Sequence, residues 1–332
     1  MTRPGQAATP PPPSRRSSAG PLSSSRSFSL PMGRRVEPHG IAGYPIDFSV
    51  KASSPSLTPW WLNGPQEPLH VAVFQWGLGS YERYLTEGDE RWLEVALEAG
   101  RRALETQHRG GRLDGGWLHR SPFKHTFPLG TPWMSAMAQG EGASLLVRLF
   151  LETGDEALAE AARRALGPLR VPSGGGGVRA QLGGRPFPEE YPTKPSSYVL
   201  NGAIFALWGV RDVAVALDDS EAKAEFESGV DTLAASIDRW DTGYWSRYDL
   251  FPHPLVNVAS SFYHQLHISQ LRAMTVLSPR PALAAAADRF EAYAASPAKR
   301  RRAFGAKVLF RLAVPRNRFT AYRLPWSPPR PA

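Results

Sequence analysis

A chain of 332 residues with 42% hydrophobic composition can bury one large core or two ordinary ones, and it has no cysteine. That absence excludes disulfides, thiolate nucleophiles, cysteine-ligated zinc and iron–sulfur clusters. The net charge of +9 sits at the ends: residues 1–40 hold six Arg against one Glu and residues 298–332 hold ten Lys/Arg with no acid, whereas residues 41–297 hold 23 Lys/Arg against 29 Asp/Glu.

Residues 1–40 are rich in Pro, Ser and Arg and poor in large apolar groups, so they are expected to form a disordered tail. They carry positive charge without the apolar run of a secretory signal, and the longest apolar stretch, Val199–Val210, is broken by Asn201 and Gly202. Neither signal nor span being found, the expected location is cytoplasmic or membrane-peripheral. A folded body is expected over residues 41–297, with helices beginning near His70, Asp89, Met134, Asp155, Ser197, Ser220, Ser261 and Pro281.

Two helix junctions are near copies 66 residues apart, Tyr84-Leu85-Thr86-Glu87-Gly88-Asp89-Glu90 and Phe150-Leu151-Glu152-Thr153-Gly154-Asp155-Glu156. Each places Gly where a helix ends and Asp where the next one starts. A third break at Leu217-Asp218-Asp219-Ser220-Glu221 follows after a similar interval. Repeated helical hairpins sharing a core predict a mainly α fold, an (α/α) toroid. Small β-hairpin insertions are expected at Gly110–His119, Gly174–Phe187 and Trp240–Leu250, from their glycine turns and aromatic residues.

Three segments carry candidate chemistry. The first runs Glu189-Glu190-Tyr191-Pro192-Thr193-Lys194-Pro195-Ser196-Ser197-Tyr198-Val199-Leu200-Asn201-Gly202, in which two prolines stiffen a loop ahead of a helix. A glycine inside that apolar helix implies close packing or ligand approach. The second, Trp240 to Leu250, alternates Tyr244, Ser246 and Tyr248 with Trp245, Arg247 and Asp249, which suits either sugar stacking or an aromatic hairpin core. In the third, Ser260 to Leu271, Tyr263, His267 and Gln270 form one polar stripe on a helix. His264 and His267 are three residues apart there, but no acidic residue stands nearby to complete a metal site, and hydrogen-bonded structural histidines are the expectation.

Together these segments resemble the three motifs of the D-glucuronyl C5-epimerase C-terminal domain. Those are a Glu-Glu-Tyr-Pro-Thr-x-Pro-Ser-Ser-Phe-Val-Leu-Asn-Gly stretch, a Tyr-Asp-Leu turn and an Asn-x-Ala…Tyr-His-x-x-His-Ile-x-Gln-Leu helix. Ser135-Ala136-Met137-Ala138-Gln139-Gly140 is similar to a fourth family segment, and order and spacing agree over roughly residues 65–295. The resemblance implies an (α/α) toroid and epimerisation at C5 of uronic acid residues in a glycan. Glu190, Tyr191, Tyr248 and Tyr263 would be catalytic, and Asn201, Arg247, His264, His267 and Gln270 would bind substrate. No cofactor and no metal are implied.

The chain departs from the family at Phe251, where members carry Arg, and at Ser260-Ser261-Phe262, where they carry Arg-Trp-Asp. The identity of the glycan and the survival of activity are open at these positions. The alternatives are a uronate polysaccharide lyase on the same fold, through loss of the C4 substituent, and a non-catalytic glycan-binding protein. The partners expected are an anionic glucuronate-containing glycan, a homodimer mate and an anionic membrane met through the basic segment 298–332. No motif supports nucleic acid as a partner.

Overall fold

The computed structural model describes residues 29–55, 59, 62–63, 68–121, 125–127 and 129–315. The tail expectation for residues 1–28, and the basic stretch 316–332, lie outside the described residues. Helices dominate: α1 His70–Glu87, α2 Glu90–Thr106, α3 Ala136–Thr153, α4 Glu156–Ala165, the single turn α5 Gly167–Arg170, α6 Leu200–Ala216, α7 Ser220–Ser236, α8 Ser261–Leu277, α9 Pro281–Ala295 and α10 Pro297–Ala313.

Local signals set most boundaries. Asp89, Asp155, Asp219 and Ser260 each accept a backbone N–H of the first turn, and Gly88 and Gly154 end their helices in the left-handed region at φ 68°. The exception is α6, which starts three residues later than Ser197 predicts. Ser197 gives its backbone N–H and hydroxyl to Glu189, and Val199 occupies the cap position instead.

The pairs α1/α2, α3/α4, α6/α7 and α8/α9 are antiparallel hairpins, and α1, α3, α6 and α8 succeed one another as an inner layer. The inner helices α3 and α6 are buried on every side, over Ala136–Leu149 and Leu200–Val213. The outer α4 instead buries Leu158, Ala159, Ala161, Ala162 and Ala165 and leaves its Glu and Arg residues in solvent. This double layer is the (α/α) toroid arrangement expected from the hairpin repeat. Between α3 and α6 the backbones meet at Gly140 and Gly209, where a Cβ on either glycine would overlap the opposite main chain.

Of the three expected β-hairpins, one forms: β1 Arg179–Leu182 pairs antiparallel with β2 Arg185–Pro188. The other two are corrected to loops. Gly111–Leu113 is a 3-10 turn, and the Trp240–Leu250 region has only the isolated bridges Asp241–Ser246 and Arg247–Val258. Alternation fails there because Trp245, Ser246, Tyr248 and Asp249 are all buried.

Both ends of the body extend beyond the expected 41–297. Residues 29–40, expected in the tail, pack on it: Leu30 is buried, Met32 bridges Ile46, and Arg211 donates to the carbonyls of Glu37, Pro38 and Gly40. Beside Arg211, Arg148 forms a buried ion pair with Asp212 at 2.6 Å and donates to the Gly43 carbonyl at 2.8 Å. At the other end α10 docks through Ala303 and Phe310, with Lys307 donating to Asn257 Oδ1 and the Val258 carbonyl, each at 2.7 Å. Among the described residues, no helix is long and apolar enough to cross a membrane.

Candidate active site

The loop from β2 to α6 separates the two acids of the Glu189-Glu190 pair. Glu189 is turned inward, accepting Ser197 N at 3.1 Å, Ser197 Oγ at 2.6 Å and Tyr198 N at 3.0 Å. Burial pushes its carboxyl up to about 7 against those bonds. Its main-chain carbonyl also accepts Ala136 N, so Glu189 joins the loop to the start of α3. Glu190 faces the other way, into a cleft of about 240 Å³ whose walls also include Tyr191, Asn201 and Tyr263.

Gly202 makes room for Glu190, since a Cβ there would overlap the glutamate side chain. The glycine inside the apolar helix therefore serves close packing. Asn201 Nδ2 donates to Glu190 Oε2 at 3.4 Å, and the Asn201 carbonyl accepts Gln270 Nε2 at 3.0 Å. Burial outweighs the bonds from Tyr191 and Asn201 and raises the Glu190 carboxyl to about 7.

Tyr248 hydrogen-bonds the Tyr191 hydroxyl, which hydrogen-bonds Glu190. Burial, and then the nearby Glu190 charge, hold both tyrosines well above the usual phenol range, so they act as protonated donors. The Tyr248 and Tyr263 rings meet edge to face at 4.8 Å, and Tyr263 reaches the cleft while Tyr248 stands behind it. All four residues taken as catalytic thus meet in one cluster.

The residues taken as substrate-binding divide. Asn201 lines the cleft, and Gln270 supports Asn201 from α8. His264 and His267 are turned into the bundle and share Ser246 Oγ, at 2.7 and 2.9 Å from their Nδ1 atoms. His264 Nε2 donates to the Phe290 carbonyl at 3.0 Å and its ring stacks on Trp245 at 3.6 Å. Burial lowers His264 to about 4 and holds His267 well below the usual imidazole range. Arg247 does not line the cleft; it is half-buried, and Asp249 and Arg239 are the charges around it.

The departures from the family have structural consequences. Phe251 is buried in an aromatic group with Phe127 at 5.4 Å and His253 at 4.7 Å. Ser260 caps α8, and Phe262 lines the cleft beside Tyr263.

Three polar groups not anticipated from the sequence complete the cleft. Lys51, from the N-terminal segment, is the one Lys or Arg among the described residues of its wall. His119 stacks on Trp133 at 4.2 Å, its backbone bridged to the same residue. Burial lowers His119 to about 3, and its Nε2 has no hydrogen-bond partner among the described residues. Gln75 lines the cleft and donates to Glu141 Oε1 at 2.9 Å, and burial pushes the Glu141 carboxyl well above its ordinary range. No local signal marks Lys51 or His119, because each becomes part of a site only through packing of distant segments.

A carboxyl that titrates near neutrality, protonated phenols, an ammonium group and apolar walls are what proton transfer at a carbon acid requires. Comparison with known proteins gives the family. The family model for the D-glucuronyl C5-epimerase C-terminus matches residues 113–292, more than half of the chain, and the chain belongs to that family. The D-glucuronyl C5-epimerase of Caenorhabditis elegans is 34% identical over 198 residues, covering 54% of this chain and 32% of that protein.

An uncharacterized protein of Methanocaldococcus jannaschii is 27% identical over 160 residues, 47% of this chain and 50% of that protein. The matched regions therefore span 32% of one of these relatives and 50% of the other. A solved structure, cellobiose 2-epimerase from Spirochaeta thermophila, is similar with a TM-score of 0.46 at 16% identity, over 66% of this chain and 57% of that one.

Proposed function

We propose that the protein is a C5-epimerase of uronic acid residues within a glycan, of the D-glucuronate to L-iduronate type. The observation that supports this most is the convergence of Glu190, Tyr191 and Tyr263 on one cleft, with Tyr248 hydrogen-bonded behind Tyr191. Family membership supports epimerase chemistry on a glycan.

In this reading the Glu190 carboxylate removes the C5 proton, and the Tyr263 hydroxyl returns one to the opposite face of the ring. The intermediate is enolate-like, with negative charge moving onto the uronate carboxylate. Tyr191, protonated by burial, transfers its hydrogen bond from Glu190 to that carboxylate as Glu190 takes up the proton, and Lys51 supplies the positive charge. Glu190 ends protonated and Tyr263 deprotonated, and exchange with solvent at the cleft mouth resets both. Turnover therefore brings solvent hydrogen to C5.

The test is incubation with glucuronate-containing polymers in D2O, followed by NMR and ultraviolet absorbance. Deuterium at C5 without new absorbance supports the proposal. An absorbing, unsaturated product would mean that the intermediate expels its C4 substituent, and the protein is a lyase. Binding without exchange on any such polymer would make it a non-catalytic glycan-binding protein.

A further inference from the structure

Helix α10 lies beyond the family match and has two unlike faces. Its inner face is part of the body, through buried Phe310 and the bonds from Lys307. On its outer face Phe304, Val308 and Leu312 follow at intervals of four, with Leu309 alongside, forming one stripe along the helix. Phe304 is 72% exposed, Leu309 61% and Leu312 76%, values far from those of packed side chains. Leu255 and Val256, also exposed, lie in the loop that Lys307 holds, next to Asn257.

The charge around this stripe has one sign. The helix contains Lys299, Arg300, Arg301, Arg302, Lys307 and Arg311 and no acidic residue. Arg272, Arg280 and Arg289 elsewhere on the surface each pair with Asp or Glu, whereas Lys299, Arg300, Arg301 and Arg302 form no ion pair among the described residues. Lys299 and Arg302 instead lie 4.0 Å from the rings of Tyr293 and Tyr244. Arg300, Arg301 and Arg302 are exposed.

We propose that the outer face of α10 docks the protein on an anionic phospholipid bilayer, with the apolar stripe entering the headgroup boundary and the flanking arginines meeting lipid phosphates. Exposed apolar groups beside unneutralised cations on one helix are what an interfacial helix requires. An acidic glycan would satisfy the arginines but offers nothing to bury Phe304, Leu309 and Leu312. A second copy of the chain would bury the stripe but bring like charges together. The docking is independent of the activity proposed for the cleft.

The test is co-sedimentation of the full chain with phosphatidylcholine vesicles, with and without phosphatidylglycerol, at low and high salt. Binding is expected only with phosphatidylglycerol and should weaken with salt. It should fall roughly tenfold in the Leu309→Ser/Leu312→Ser variant and by a similar factor in Arg300→Gln/Arg301→Gln. All four positions are exposed, and thermal melts matching the wild type will show that both variants fold.

Absence of binding to phosphatidylglycerol vesicles, or binding indifferent to the leucine substitutions, overturns the proposal. So does retention on a heparin column, lost with the arginines, in a protein that ignores vesicles, which would assign the face to a polyanion. A dimer in light scattering that the serine substitutions dissociate would assign it to a second copy.

Discussion

Burial holds the Glu190 carboxyl at about 7, and the sign of this shift couples the proposed chemistry to stability. In the unfolded chain a glutamate ionises near 4.5, so between that pH and about 7 the folded state retains a proton that the unfolded state has lost. Stability conferred by this group is therefore present below 4.5 and falls as pH rises to about 7. Glu190→Gln should reduce C5 exchange by roughly a hundredfold or more. The same variant should melt higher than the wild type at pH 8 and not at pH 4, by on the order of 2 kcal/mol. If Glu190 is the base, kcat should rise through a pKa near 7.

Lys51→Met should lower kcat and raise KM for an anionic glycan while leaving the thermal melt in place, because Lys51 is exposed and its substitution empties no core. Steady-state kinetics on the wild type and Lys51→Arg would separate loss of charge from loss of shape. The Glu-Tyr pair and the two later tyrosines were legible as candidates because their motifs carry them. The choice of Glu190 over Glu189 came from the family resemblance alone, since adjacent residues differ only in what the fold puts around them.

Hairpin elements were legible where caps declare themselves, at Asp89, Asp155, Asp219 and Ser260. Loop conformation was not. The Trp240–Leu250 segment has the composition of a β-hairpin, yet both of its faces are buried, so the alternation that suggests a strand has no solvent side to answer to. Helix α10 was expected only as a basic extension, and its inner face turns out to bind the site loop. Lys307 fixes the carbonyl of Val258 and the side chain of Asn257, whose own carbonyl accepts Tyr248 N at 2.8 Å. Lys307→Ala should loosen residues 249–258, lowering kcat several-fold with less change in KM, and hydrogen exchange should quicken in that loop before the inner helices respond.

Across the whole molecule, charge separates into basic ends and an acidic centre, and the described parts of both ends, residues 29–40 and 298–315, pack on the body. Arg148, Asp212 and Arg211 form the anchorage of residues 37–43 at the far side of α3 and α6. Asp212→Ala would leave Arg148 buried without its partner and should cost about 3–5 kcal/mol in denaturant unfolding. The toroid itself was legible from the hairpin repeat, because spacing between helices is a property of the chain. The anchorage was not: an arginine that satisfies three carbonyls of a segment over 170 residues earlier leaves no periodic trace.

That anchorage has a consequence for the order of events during synthesis. Residues 37–51 precede Arg211 and Asp212 by more than 150 residues. At ordinary elongation rates residues 37–43 wait roughly 10 to 30 s for that anchorage, while their neighbours Arg35 and Phe48 can already meet Glu82 and Gly79 of α1. The cleft wall that Lys51 supplies is therefore completed only after α6 has been made. In refolding, helix content should recover before glycan binding does, and the interval between the two signals would measure how long residues 37–43 stay unattached to α3 and α6.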